Sequence, residues 1–140
     1  MPADRGDVLF LDANILFSAA YRAESGLARL WTLPGVRLVT SQYAAEEARR
    51  NLASGEPLVR LAELLRHVDV MEAPLTRDHP VVGLVELAEK DVPVLVAAVE
   101  AGATHLLTGD VRHFGGLFGR RIGGVLIVRP AEYLRGRAAG

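Results

Sequence analysis

Residues 90–114, KDVPVLVAAVEAGATHLLTGDVRHF, contain a helix, a strand and a turn in one unbroken reading. Asp91 opens the helix as a cap, and Pro93 sits in its first turn, where a missing amide hydrogen does little harm. The helix runs to Gly102. His105 to Leu107 follows as a short apolar strand ending in Thr108-Gly109-Asp110. Helix, short buried strand, then a polar strand end is the unit of a parallel sheet.

The same unit recurs on both sides. Val8 to Leu11 is a continuous apolar run ending in Asp-Ala-Asn, a buried strand with a polar carboxyl end. Ile15 to Tyr21 and Leu27 to Trp31 have helical spacing, broken by Ser25-Gly26. Pro34-Gly35 turns the chain into a second strand, Val36 to Val39, and Ser41 caps a helix over Ala44 to Leu52. Leucines 58, 61, 64 and 65 form one face of a further helix to Arg66, and Val68 to Met71 is a brief strand. Asp78-His79-Pro80 reads as a turn leading into a helix over Val81 to Ala88. Gly115-Gly116 and Gly123-Gly124 bracket a loop, Val125 to Val128 is the last strand, and Pro130 starts a short helix. The alternation predicts an α/β fold with a mostly parallel sheet and helices on both faces. No repeat or linker interrupts it, so residues 1–140 are expected to form one domain.

Half of the residues are hydrophobic and 24% are charged, which fits a globular chain and excludes a disordered one. No apolar run suggests a membrane span, and the start lacks the basic region of a signal peptide, so a cytoplasmic protein is expected. The absence of cysteine excludes disulfides, thiolate metal sites and a cysteine nucleophile. The net charge is -1, but six arginines (112, 120, 121, 129, 135, 137) stand against two acids from Asp110 onward. Such a tail can hold a phosphate backbone beside an acidic pocket, or it can simply be solvated.

Ligands of parallel α/β sheets bind beyond the carboxyl ends of the strands. Asp12 and Asp110 fall there directly, Asp91 begins the helix that leads into Asp110's strand, and Glu47 lies six residues beyond Ser41 on the helix after the second strand. A right-handed parallel sheet can bring all four to one end. Free aspartate titrates at ~3.9, so the four would repel one another at neutral pH. Raised pKa values or a bound cation relieve this, and oxygen ligands without cysteine favour Mg²⁺ or Mn²⁺. Each acid also has a plainer reading. Asp91 alone reads as a helix cap, Asp110 as a cap or turn, and Glu47 as a solvated helix residue, while Asp12, ending a buried strand, needs a partner. Glu46 competes with Glu47, because the helical period lets only one of them point at the site.

LFLDANILFSA, SQYAAEEARRNL, KDVPVLVAAVEAGATHLLTGDVRHF and VLIVRPAEYL together resemble the PIN-domain family in order and spacing, across Val8 to about Leu134. That family includes the VapC-type toxin ribonucleases of bacterial toxin–antitoxin pairs. The resemblance implies an α/β/α sandwich, a divalent-metal site of acids, and cleavage of single-stranded RNA. It maps the first aspartate onto Asp12, the helical glutamate onto Glu47 with Glu46 in reserve, and the later acids onto Asp91 and Asp110. Asn14 and Thr108 fall where polar neighbours orient a water or a carboxylate. Toxin-like members often carry a D-F pair after the strand end. This chain has His113-Phe114 there, and Asp110 makes up for the missing acid, as in the T-G-D branch.

His113 reads as a surface or structural residue ahead of a general acid or phosphate contact, and His105 as a packed histidine in its strand. His67 has no partner in sequence. A phosphorelay receiver would need an acid pair and a lysine near the last strand, whereas the one lysine is Lys90, beside Asp91. A haloacid-type phosphatase would need D-x-D-x-[TV], which Asp12-Ala13-Asn14-Ile15-Leu16 does not supply. The expectation is therefore an Mg²⁺- or Mn²⁺-dependent endoribonuclease with Asp12, Glu47, Asp91 and Asp110 as metal-holding catalytic residues. Arg112, Arg120 and Arg121 would hold the RNA backbone. A toxin would have an antitoxin partner, and the apolar faces at 15–31 and 58–65 offer antitoxin or homodimer contacts if they are not simply core. The alternative is a catalytically silent PIN-like module that binds RNA or protein.

Overall fold

The computed structural model describes residues 6–72 and 79–139. The first apolar run becomes β1 (Asp7–Leu11), with Leu9 and Leu11 in one core and Phe10 in the other. Burial on both faces explains why the run is continuously apolar instead of alternating. β1 is flanked by β2 (Val36–Ser41) and β4 (His105–Leu107), so that Leu9 lies between Leu38 and His105. β3 (Asp69–Met71) and β6 (Val125–Val128) extend the sheet outward, and β5 (Arg121–Ile122) closes one edge. The order is β3-β2-β1-β4-β6-β5, parallel except for the antiparallel β5–β6 pair.

α1 (Ala13–Tyr21), α2 (Gln42–Leu52), α3 (Glu56–Leu65) and α6 (Pro130–Ala139) contribute Ile15, Leu16, Ala45, Ala48, Leu61 and Tyr133 to the core on one face. On the other face lie α4 (Val92–Glu100), buried without interruption from Val94 to Ala98, and the short α5 (Val111–Phe114), anchored by fully buried Phe114. The result is the expected α/β/α sandwich. Fully burying one large apolar side chain contributes roughly 1.5–3 kcal/mol, so the two cores, not local propensity, hold these short strands in place. Among the described residues, no helix is long and apolar enough to cross a membrane.

Three expectations change in detail. Leu27 to Trp31 folds as a 3₁₀ segment, Gly26–Thr32, and not as an α-helix. Val81 to Ala88 forms no helix: a 3₁₀ turn at Pro80–Gly83 is followed by irregular chain. Only Val81 of its first residues is buried while Val82 and Leu84 are exposed, so no apolar stripe rewards a continued helix. Between the two glycine pairs, the loop carries the edge strand β5. Gly123 and Gly124 both take positive φ (58° and 88°) and make a two-residue hairpin into β6, a geometry that disfavours side-chain-bearing residues. Asp78, part of the expected turn, lies outside the described residues. Its neighbour His79 accepts a hydrogen bond from the Val81 amide at Nδ1 and lies 2.8 Å from Glu100 through Nε2.

Of the apolar faces at 15–31 and 58–65, the inner residues Ile15, Leu16, Leu30 and Leu61 are core. Phe17 and Tyr21 stack with ring centroids 5.3 Å apart, and with Leu27, Ala131 and Leu134 they line a groove of about 530 Å³. His105 is half-buried and packs edge-on to Tyr133, with its imidazole pKa lowered by burial, as a packed histidine should be. His67 is exposed, 3.8 Å from Glu63.

Candidate metal centre

The carboxyl ends of β1 and β4 are adjacent, and their registers bring Leu11 opposite Leu107. Asp12 follows directly. Its amide donates to the Leu107 carbonyl at 3.1 Å, and its carboxylate is buried at 6% exposure. Oδ1 accepts the Ala13 amide at 2.7 Å. Oδ2 accepts the Thr108 hydroxyl at 2.8 Å and the Asn14 amide group at 3.0 Å. Asn14 is itself fixed, since its Oδ1 accepts the Gly109 amide at 2.8 Å. Burial pushes the Asp12 carboxyl above its ordinary value and nearby Glu47 pushes it further, against the pull of the bonds from Thr108, Ala13 and Asn14. Asn14 and Thr108 thus hold one carboxylate in one orientation, and the Thr108 hydroxyl also accepts the Asp110 amide at 3.1 Å.

Asp91 does not behave as a cap. It stands at the cap position of α4, yet its side chain bonds no helix amide. Oδ2 is buried and has no hydrogen-bond partner among the described residues, which is costly for a carboxylate. Burial raises the Asp91 carboxyl and Asp110 raises it further, with His113 and Lys90 opposing. Asp110, in contrast, caps α5 by accepting the His113 amide at 3.1 Å. Burial alone would raise its carboxyl, but hydrogen bonds from the His113 amide and ring, with the charges of His113 and Lys90, pull it below the ordinary value.

His113, read as surface or structural, is partly buried and bonded to Asp110. Its Nδ1 lies 2.6 Å from Asp110 Oδ2 and 3.5 Å from Asp91 Oδ2. One donor atom each from Asp91, Asp110 and His113 fall within 4.8 Å of one another, a spacing that can hold one ion. The signal available in sequence was the helical offset of three residues from Asp110, which turns the ring back over its own cap.

Glu47 faces the same depression. It shares a cleft of about 360 Å³ with Asn14, Ser18, Gly109, Asp110 and Pro130, whereas Glu46 is exposed. The cations are less concentrated than the sequence suggested. Arg112 is exposed on α5 beside His113. Arg121 sits on the edge strand opposite Leu126, and its charge acts on His105 at the far end of the strands. Arg120 is exposed, with its backbone bonded to Ile127. Lys90 was unassigned, yet its ammonium acts on both Asp91 and Asp110. Tyr43, also unassigned, has its hydroxyl pushed up by burial and then by Glu47, Asp91 and Asp12, so it lies among the same acids.

No family model and no curated protein matches the sequence. Solved structures do match the fold. A chain of the VapBC2 complex from Rickettsia felis, solved with a fragment of promoter DNA, superposes at a TM-score of 0.63 with 13% identity, covering 87% of this chain and 98% of that one. For VapBC-1 from nontypeable Haemophilus influenzae the values are 0.57, 17%, 89% and 98%. For VapC20 of Mycobacterium tuberculosis, described as a sarcin–ricin-loop-cleaving toxin, they are 0.51, 18%, 73% and 91%. The chain has the PIN-domain fold of the VapC type.

Proposed function

We propose that the protein is a metal-dependent endoribonuclease that hydrolyses phosphodiester bonds of single-stranded RNA and serves as the toxin of a toxin–antitoxin pair. The observation that carries this reading is the buried Oδ2 of Asp91, without a hydrogen-bond partner among the described residues and grouped with Asp110 and His113. A bound cation would relieve the repulsion in such a set, and donors rich in oxygen suit Mg²⁺ or Mn²⁺. The VapC fold, and the RNA-cleaving activity named for one protein that shares it, support the same reaction class.

A divalent ion in this site supplies Lewis-acid polarisation of the phosphodiester and a nucleophile at neutral pH. The chain's own residues do the rest. Asp12, locked by Thr108 and Asn14, offers a ligand whose orientation is set before anything binds. Glu47 acts on it from α2, while Asp91 at the start of α4 and Asp110 at the start of α5 bring their carboxylates together with His113. His113 Nδ1 and Asp110 Oδ2, at 2.6 Å, are close enough to share one proton. Lys90 and Arg112 flank the acids as phosphate contacts, a role Arg121 is poorly placed to fill. The groove at Phe17, Tyr21 and Leu134 is the surface we assign to an antitoxin, consistent with the VapBC complexes that share the fold.

The close His113–Asp110 contact also suits a silent binding module, in which an imidazolium serves as counter-charge. Cleavage of a labelled single-stranded RNA with Mn²⁺, Mg²⁺ or EDTA, wild type beside Asp12→Asn, separates the two. Metal-dependent cutting lost in the variant supports the enzyme. No cutting, together with no metal uptake in a titration, supports the binding module.

A further inference from the structure

Glu47 and Asp91 belong to different helices, and something must set the distance between them. The chain before Asp91 is irregular from Val85 to Ala88: Val85 and Leu87 pack against the core, but Ala88, Glu89 and Lys90, next to the carboxylate, are exposed. Two features fix its end. One is a tight turn, in which the amides of Asp91 and Val92 both donate to the Ala88 carbonyl, at 2.8 and 3.2 Å. The other comes from α2: the Tyr43 hydroxyl donates to the Lys90 carbonyl at 2.8 Å. Among the described residues, this is the one side-chain hydrogen bond that reaches residues 84–91 from another element.

Tyr43 is well built for such a tether. It lies four residues before Glu47, on the same face of α2. Its ring is half-buried against the core that contains Val94 and Leu95, so the hydroxyl has little freedom. The carbonyl it holds belongs to the residue immediately before Asp91, and Asp91 has no capping bond of its own to orient it.

We propose that Tyr43 is a positioning residue that sets the spacing between Glu47 and Asp91, and through it the site's preference for a small divalent ion over a large one. The inference rests on the metal-centre reading above. Mg²⁺ demands a tight, near-octahedral shell at ~2.0–2.1 Å, whereas Ca²⁺ accepts a looser one at ~2.3–2.6 Å. A tether therefore matters more for Mg²⁺ than for Ca²⁺, and a general loss of stability would not change that ratio.

The test is calorimetric titration of purified full-length protein with Mg²⁺ and with Ca²⁺, wild type beside Tyr43→Phe, which keeps the ring and removes the hydroxyl. Mg²⁺ affinity should fall about five- to tenfold, the scale of one lost outer hydrogen bond, while Ca²⁺ affinity changes less than about twofold. Equal losses for both ions, or no loss for either, would overturn the proposal. If the wild type binds neither ion, the metal-centre reading fails separately. The tether is then decided in metal-free protein by the ¹³C carboxyl resonance of Asp91. Displacement or broadening in Tyr43→Phe supports it, and an unchanged resonance rejects it.

Discussion

The two ends of the sheet treat their acids in opposite ways. At the amino end, Asp7 accepts the Tyr133 hydroxyl at 2.5 Å and lies 3.7 Å from Arg137, which also reaches the Pro34 carbonyl at 3.0 Å. The acid there is answered by a phenol and a guanidinium, and the phenol is pushed up to about 12 by burial and by its bond to Asp7. At the carboxyl end, Asp91 and Asp110 come together with His113, Glu47 acts on Asp12, and among the described residues the buried Oδ2 of Asp91 has no hydrogen-bond partner. Both ends are built from the same strands and the same class of helix. One arrangement fastens α6 to the sheet, and the other gathers acids that His113 and Lys90 answer only in part.

Asp12→Asn should break this contrast most severely. Loss of a first ligand predicts a fall in RNA cleavage of about 100-fold or more, measured as the single-turnover rate with Mn²⁺. In metal-free buffer the same variant removes a buried charge but turns an amide NH₂ toward one of the donors that Asp12 accepts, so its melting point should stay close to that of wild type. A large loss would mean that Asp12 is primarily a structural anchor. Metal removal comes next. A divalent ion at about 100 times its dissociation constant should stabilise the fold by about 2.7 kcal/mol, and EDTA should reverse this. A melting curve indifferent to EDTA would put the carboxyl end on the same footing as the amino end.

Tyr133→Phe probes the opposite end. It should cost about 1 kcal/mol in denaturant unfolding, since Asp7 keeps Arg137 and some solvent, and it should leave metal affinity unchanged. Acidity offers a subtler test. Asp12 and Asp91 have carboxyls held above the unfolded value. In the window between, the folded chain binds more protons, so metal-free protein should gain stability as pH falls from neutral into that window. Asp110 acts with the opposite sign: its contribution is present above the unfolded carboxylate value and is lost as pH falls through its lower folded value. Melting temperature should therefore rise on mild acidification and then decline, and the rise should shrink in Asp12→Asn. The smallest effect expected is from Glu46→Gln, which should alter neither cleavage nor metal uptake, in contrast to Glu47→Gln.

The alternation of short apolar runs with helices made the sandwich legible before any coordinates, because strands buried on both faces must be apolar throughout. Placing acids at strand ends made Asp12 and Asp110 legible for the same reason. Asp91 was harder, because position and residue type both suited a cap, and only the side chain's failure to bond the helix distinguishes the two roles. Tyr43 was missed and the contacts of His113 were left open, since each depends on a ring reaching a neighbour whose direction is set by packing. Val81 to Ala88 misled because its hydrophobic residues do not share a face once the chain turns at Gly83. Arg121 misled because a count of charges along the chain does not say which end of a strand they occupy.

The pairing of β1 with β4 has a consequence for how the protein is made. Asp12 is made well before the Thr108 that orients it, and the two are joined only across a gap of almost a hundred residues. A nascent chain that has built β1, α1, β2 and α2 therefore carries two of its acids and none of the constellation. Any chemistry that needs both Asp12 and Thr108 must wait until β4 docks beside β1.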